Sequence, residues 1–160
     1  MRHIISAWVR NEFGVLSRVV GMFSGRGYNI DSLNVAPTLD AKVSHITIVT
    51  EGDDDTIEQI TKQLHKLIDV ITVKDHTGGE FVERELALLT VSPPAEARAE
   101  VLRISEIFRA KIVDVSHKTF VIEVTGKPDK IDAISRLLEP LGLLSRVRTG
   151  PLASVRGNEK

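Results

Sequence analysis

The chain has 160 residues, 42% of them apolar and 27% charged, enough for one medium domain or two small ones with a proper core. A formal net charge of -1 leaves no electrostatic footprint for DNA, RNA or an anionic membrane. Cysteine is absent, which removes disulfides, thiolate metal sites and cysteine nucleophiles together.

The chain opens on "MRHIISAWV", which leads into a strand pattern and carries no signal-peptide cleavage site. No apolar run nears the roughly 20 residues that span a bilayer, so a cytoplasmic protein is expected. His3–Arg10 is the first strand, alternating through Ile5, Ala7 and Val9. Val15, Leu16, Val19, Val20 and Phe23 then recur at helical spacing until Gly25 and Gly27 stop the helix. Ile30–Ala36 is a second strand closed by Pro37, and Ser44–Thr50 a third. A helix with Ile57, Ile60, Leu64 and Leu67 on one face follows Asp53-Asp54-Asp55, and Val70–Lys74 is the fourth strand. Gly78-Gly79 breaks the chain, and the order βαββαβ starts again. Glu85–Ser92, a helix through Val101, Ile104 and Phe108, Ile112–Val115, Thr119–Thr125, a helix through Ile131, Ile134 and Leu138, and Leu143–Arg148 complete it.

The halves align as an internal repeat. Ile57 lies over Ile131, Ile60 over Ile134, Leu64 over Leu138, Leu67 over Leu141 and Val73 over Val147 without a gap, and Ile30-Asp31 meets Val113-Asp114. Right-handed crossovers close each βαββαβ unit as a four-stranded antiparallel sheet with both helices on one face. The fold class is therefore α+β, two tandem ferredoxin-like units: residues 1–77, a linker at 78–83, a second unit at 84–150, and a flexible tail at 151–160. The first sheet's other face is expected to carry Trp8, Ile46 and Ile48 and to need a cover.

No catalytic constellation is legible. The five histidines are scattered over strands, helix and loops without metal-ligand spacing. Asp53-Asp54-Asp55 complements the positive end of a helix, and "GGEF" at 78–81 lacks the sequel of a phosphate loop. More informative is "RNEFGVLSR", where the first strand hands over to the first helix. The leading N–H groups of that helix have no acceptor within it, and Gly14 lets a ligand approach without meeting a Cβ. A carboxylate could sit there, with Asn11 supplying an amide that both donates and accepts. On spacing alone, Gly14 as a plain cap and Asn11 as a turn residue is the simpler account. Asn29, after the Gly25-Arg26-Gly27 turn, reads either as a turn residue or as a polar group at the sheet edge.

"ISAWVRNEFGVLSRVVGMFSGRGYNIDSLNVAPT", "SHITIVTEGDDDTIEQITKQLHKLIDVITVKD", "FVERELALLTV" and "EIFRAKIVDVS" resemble the regulatory small subunits of acetolactate synthase, across essentially the whole chain. The resemblance implies an N-terminal ACT domain and a related C-terminal domain in a homodimer, bound to a catalytic large subunit. This chain would hold no cofactor. Its partner would hold thiamine diphosphate, magnesium and FAD, and condense two pyruvates or pyruvate with 2-oxobutyrate on the way to valine, isoleucine and leucine. The small subunit would raise that activity and confer feedback inhibition by valine. The effector would lie between two ACT domains, against Asn11, Gly14, Val15 and Leu16 of one chain and Asn29 and Ile30 of the other.

The second unit replaces "RNEFGVLSR" with "VSPPAEARAEVL", where proline removes an N–H and no glycine opens the approach. No equivalent site is expected there, and contact with the catalytic subunit or dimer packing suits that unit better. Two other readings stay open: a free-standing ACT sensor acting on another enzyme or on transcription, and an enzyme on a ferredoxin-like scaffold.

Overall fold

The computed structural model describes residues 1–157 and divides into two compact units. The first runs from Met1 to Val82 and takes back the described chain from Leu152 to Gly157; the second is Glu83–Pro151. Each is a ferredoxin-like βαββαβ unit.

In the first, β1 (Arg2–Arg10), α1 (Val15–Gly25), β2 (Ser32–Pro37), β3 (Val43–Glu51), α2 (Asp54–His65) and β4 (Val70–Asp75) form an antiparallel sheet in the order β2-β3-β1-β4. Ile5 pairs with Ile48 and Ala7 with Ile46, so strand alternation turns all four toward the helices. There they close over Val15, Val19, Phe23, Ile57, Ile60 and Leu64. Ile46 and Ile48 therefore belong to the helix-packed core, wholly buried, and not to the opposite face where the sequence pattern put them. A run of consecutive buried residues in β3 hides which half of the alternation faces the helices.

The second unit repeats this with β5 (Phe81–Val91), α3 (Arg98–Ile107), β6 (Lys111–Val115), β7 (Phe120–Gly126), α4 (Pro128–Leu138) and β8 (Leu143–Arg148), in the order β6-β7-β5-β8. Its core joins Ala87, Leu89, Val91, Val101, Ile122, Val124, Ile131, Ile134 and Leu138.

The repeat holds, with two corrections to its register. Val73 pairs with Ala7 and faces the core, whereas Val147 pairs with Leu88 and is exposed. By pairing, the counterpart of Val73 is Arg146, opposite Leu89, so one residue is missing between the last helix and last strand of the second unit. A slip of one residue exchanges faces, and an ungapped alignment cannot see it. Likewise Ile30-Asp31 precedes β2 while Val113-Asp114 lies inside β6.

The linker and tail also differ from expectation. β5 starts at Phe81, inside the supposed linker, and Leu152–Val155 is a strand, β9, that pairs with β5. The described part of the supposed tail is thus ordered, and residues 158–160 lie outside the described residues. Its reason is burial. Ala153 and Phe81 pack on Ile4 and Val49, which cover the helix-free face of the first sheet, and the Arg156 N–H donates to the Glu80 carbonyl at 3.2 Å. The chain itself thus covers the end of this face around Ile4 and Val49, while Trp8, half-buried farther along β1, packs edge-on to His45.

Candidate functional site

β1 ends at Arg10, and the next five residues turn the chain into α1. Gly14 is the N-cap of that helix, at φ 81° and ψ -4°, with no side-chain cap. This left-handed backbone is the reason for glycine, since a β-carbon is disfavoured there. A Cβ built on it would also come within 3.1 Å of an Arg18 guanidinium nitrogen.

Asn11 does turn the loop, through specific bonds. Its backbone N–H donates to the Lys42 carbonyl at 2.8 Å and its Nδ2 to the Ala41 carbonyl at 2.9 Å, tying this corner to the β2–β3 connection. Because Nδ2 is engaged by a carbonyl, Oδ1 is the end left to accept from a ligand. Val15 is a core residue whose side chain is out of reach, while Leu16 is more than a third exposed.

Asn29 and Ile30 stand before β2. The Asn29 carbonyl accepts from the Thr50 hydroxyl at 2.6 Å, and its Nδ2 donates to Asp31 Oδ1 at 2.6 Å, again leaving a free amide oxygen. Ile30 packs half-buried against the core.

Within one chain these two groups are not brought together. Ser32 pairs with Val49 and Val49 with Ile4, so Asn29 belongs to the end of the sheet where β1 starts. Asn11 and Gly14 follow Arg10 at the other end, six residue steps from Ile4. At about 3.3 Å per step that is roughly 20 Å. Among the described residues β2 is an edge strand, paired only with β3, and its far end at Pro37 lies beside the Asn11 corner through Ser44 and Val9.

Two residues that the sequence reading passed over complete the corner. Arg18, one helical turn past Gly14, donates from Nε to Asp69 Oδ2 at 2.8 Å and sets a second guanidinium nitrogen 2.7 Å from the same oxygen. Asp69 is nearly buried and also accepts, through its carbonyl, from the Arg10 N–H at 2.9 Å. Arg18 was legible as a cation at i+4 from the glycine; Asp69 is 51 residues away from it and carried no local signal. Among the described residues no group of three or more histidines, aspartates or glutamates is arranged to hold a metal ion, and no helix is long and apolar enough to cross a membrane.

Comparison with known proteins bears on both units. Residues 5–72 match the family model for an AHAS small subunit-like ACT domain, and residues 84–157 that for the small subunit of acetolactate synthase. The chain is 52% identical to the acetolactate synthase small subunit of Aquifex aeolicus over 97% of its own length and 81% of that protein. It is 49% identical to a probable acetolactate synthase small subunit of Archaeoglobus fulgidus over the whole of both chains. The crystal structure of the acetolactate synthase small subunit from Thermotoga maritima superposes with a TM-score of 0.90 at 39% identity, covering 99% of each chain.

Proposed function

The chain belongs to the small-subunit family of acetolactate synthase, and from that premise we propose that it is the regulatory subunit which activates a catalytic large subunit and makes it sensitive to valine. Valine sits between two copies of the first unit. The observation that carries this reading is the separation of the two half-sites. One chain holds the β1–α1 corner and the start of β2 roughly 20 Å apart, too far for both to touch one amino acid.

Antiparallel pairing of two β2 edges removes that distance. It sets the start of β2 in one copy beside the end of β2 in the other, and hence beside the corner that follows Arg10. The chemistry then divides cleanly. The N–H groups opening α1 take the carboxylate, and the free amide oxygens of Asn11 and of Asn29 from the other copy accept from the ammonium. Leu16 and Ile30 offer apolar surface to the side chain. Phe13 and Leu39, wholly exposed in the two loops that Asn11 ties together, favour a protein partner at this end.

The thiamine diphosphate, magnesium and FAD chemistry is the large subunit's. The chain's own part is to bind an effector and transmit its presence. Reconstitution with a cognate large subunit and titration with valine tests this. Stimulated acetolactate formation that valine then suppresses is expected, with no turnover by the isolated chain. A rate and valine response unaltered by its addition would overturn the reading.

A further inference from the structure

His3 has an unusual position for an imidazole. It is paired with Thr50 near the start of β1, on the helix-side face, and is 2% exposed. Neither Nδ1 nor Nε2 has a hydrogen-bond partner. Asp75, paired with Ile5 and so diagonal to His3, has Oδ2 3.6 Å from Nδ1, beyond hydrogen-bond length. A buried ring with both nitrogens idle is uncommon, because a neutral imidazole has one donor and one acceptor to satisfy.

The ring forms part of the wall of a cleft of about 490 Å³ between α2 and the β1–β4 edge. Ile57 and the Thr61 side chain contribute aliphatic surface, and Asp54, Glu58, Lys62 and His65 complete it. Glu58 and Lys62 neutralise each other at 2.5 Å. The charge left over is negative, from Asp75 beside His3 and Asp54 in the first turn of α2. Such a cleft matches a ligand with a cationic, donating head and a short apolar body.

We propose that this cleft is a second small-molecule site, distinct from the β1–α1 corner, and that it takes a small aliphatic amine as its ammonium ion. The ammonium donates to Asp75, whose carboxylate stands 3.6 Å from the buried His3 ring, and the aliphatic chain lies on Ile57 and Thr61. The proposal does not rest on the valine reading, whose residues lie at the β1–α1 corner and before β2.

The test uses the full chain labelled with 15N-histidine, followed by long-range 1H–15N spectra during titration with n-butylammonium chloride. Sodium butyrate and sodium chloride are the matched controls. Saturable shifts of the His3 ring nitrogens are expected with butylammonium alone. Asp75→Asn should weaken that response at least tenfold. Thr61→Phe, which fills the cleft from its half-exposed wall, should abolish it while the other histidine signals stay in place, and it carries the test if the Asp75 variant folds poorly. An absent or unsaturable response, an equal response to butyrate, or full binding by the filled variant would overturn the site and leave the imidazole a group that only water satisfies.

Discussion

The two units share a fold and differ where strand turns into helix. In the first, Gly14 caps α1 in a left-handed conformation, and Arg18, bonded to Asp69, keeps a guanidinium nitrogen beside it. In the second, Pro93 and Pro94 lead into a tight turn at Ala95–Ala97, whose Ala97 N–H already donates to the Pro94 carbonyl at 2.9 Å. Arg98 folds over the same corner, donating to the His117 carbonyl at 2.9 Å with its guanidinium carbon 4.7 Å from the centre of the Phe120 ring. A Cβ at Gly14 would meet only the end of the Arg18 side chain, whereas the second corner is closed by its own turn and by Arg98. A repeat can thus keep most of its core and still differ at this corner, because backbone N–H groups and a missing Cβ there are not constrained by the core.

The largest effects should be equal in the two units. Leu64 and Leu138 are wholly buried at matching helix positions. Truncating either to alanine should cost about 3 kcal/mol, by lost burial and an unfilled cavity. Urea unfolding followed by one probe in each unit measures both. A cost near zero at one position would break the equivalence of the cores.

Gly14→Asp should separate the two corners. A carboxylate placed at about 4 Å from that of valine, at an effective dielectric near 20, is repelled by about 4 kcal/mol before relaxation. Half of that still removes more than tenfold in affinity. Aspartate tolerates the left-handed region better than most residues, and its Cβ would meet only the far end of the Arg18 side chain, so activation of the large subunit should persist. Calorimetry on the full chain should show one valine per chain before the change and none measurable after it. Residual tight binding in the variant would place a site in the second unit, against its proline-led corner.

How much of this was legible follows from the same residues. Helices and strands were readable because their apolar spacing is local. Gly14 was readable as the cap of the first helix, and the structure places it there. The facing of Ile46 and Ile48, the slip that turns Val147 outward and the capture of Leu152–Val155 were not readable, since each is decided by a strand distant in sequence. Arg18 and Asp69 meet for the same reason across 51 residues.

The ends of the fourth strands give a pH test. The His76 N–H donates to the Ile4 carbonyl at 2.9 Å and the Thr149 N–H to the Leu86 carbonyl at 3.0 Å, so the two residues correspond. Thr149 is exposed, whereas His76 is buried, with Nε2 2.7 Å from Ser6 Oγ and its ring against Phe81. Burial first, then the Lys74 ammonium, holds the His76 ring below its ordinary value of 6.5. The unfolded chain therefore binds a proton that the folded one refuses. Stability from this group is full above pH 6.5, falls as pH drops toward the lowered folded value, and is constant below it. His76→Gln should flatten that slope for a probe in the first unit and leave the second unit's slope unchanged. An unaltered slope would show that His76 is not the group responsible.

The smallest expected effect compares the starts of α2 and α4. Asp53 caps α2 by accepting from the Thr56 N–H at 2.8 Å, whereas Lys127 at the same place before α4 makes no cap bond and relies on Pro128. Exchanging the chemistry should move stability in opposite directions. Asp53→Ala leaves the Thr56 N–H to water and should lower the melting temperature of the first unit. Lys127→Asp supplies an acceptor and a charge that suits the helix dipole, and should stabilise the second unit by an amount on the order of 0.5 kcal/mol. The pH dependence identifies the cause. The hydrogen bonds to Thr56 hold the Asp53 carboxyl below its ordinary 3.8, so its contribution is present above that pH and is lost as pH falls through the lower folded value. The gap between wild type and Asp53→Ala should accordingly close in acid. A gap that persisted there would come from something other than the cap.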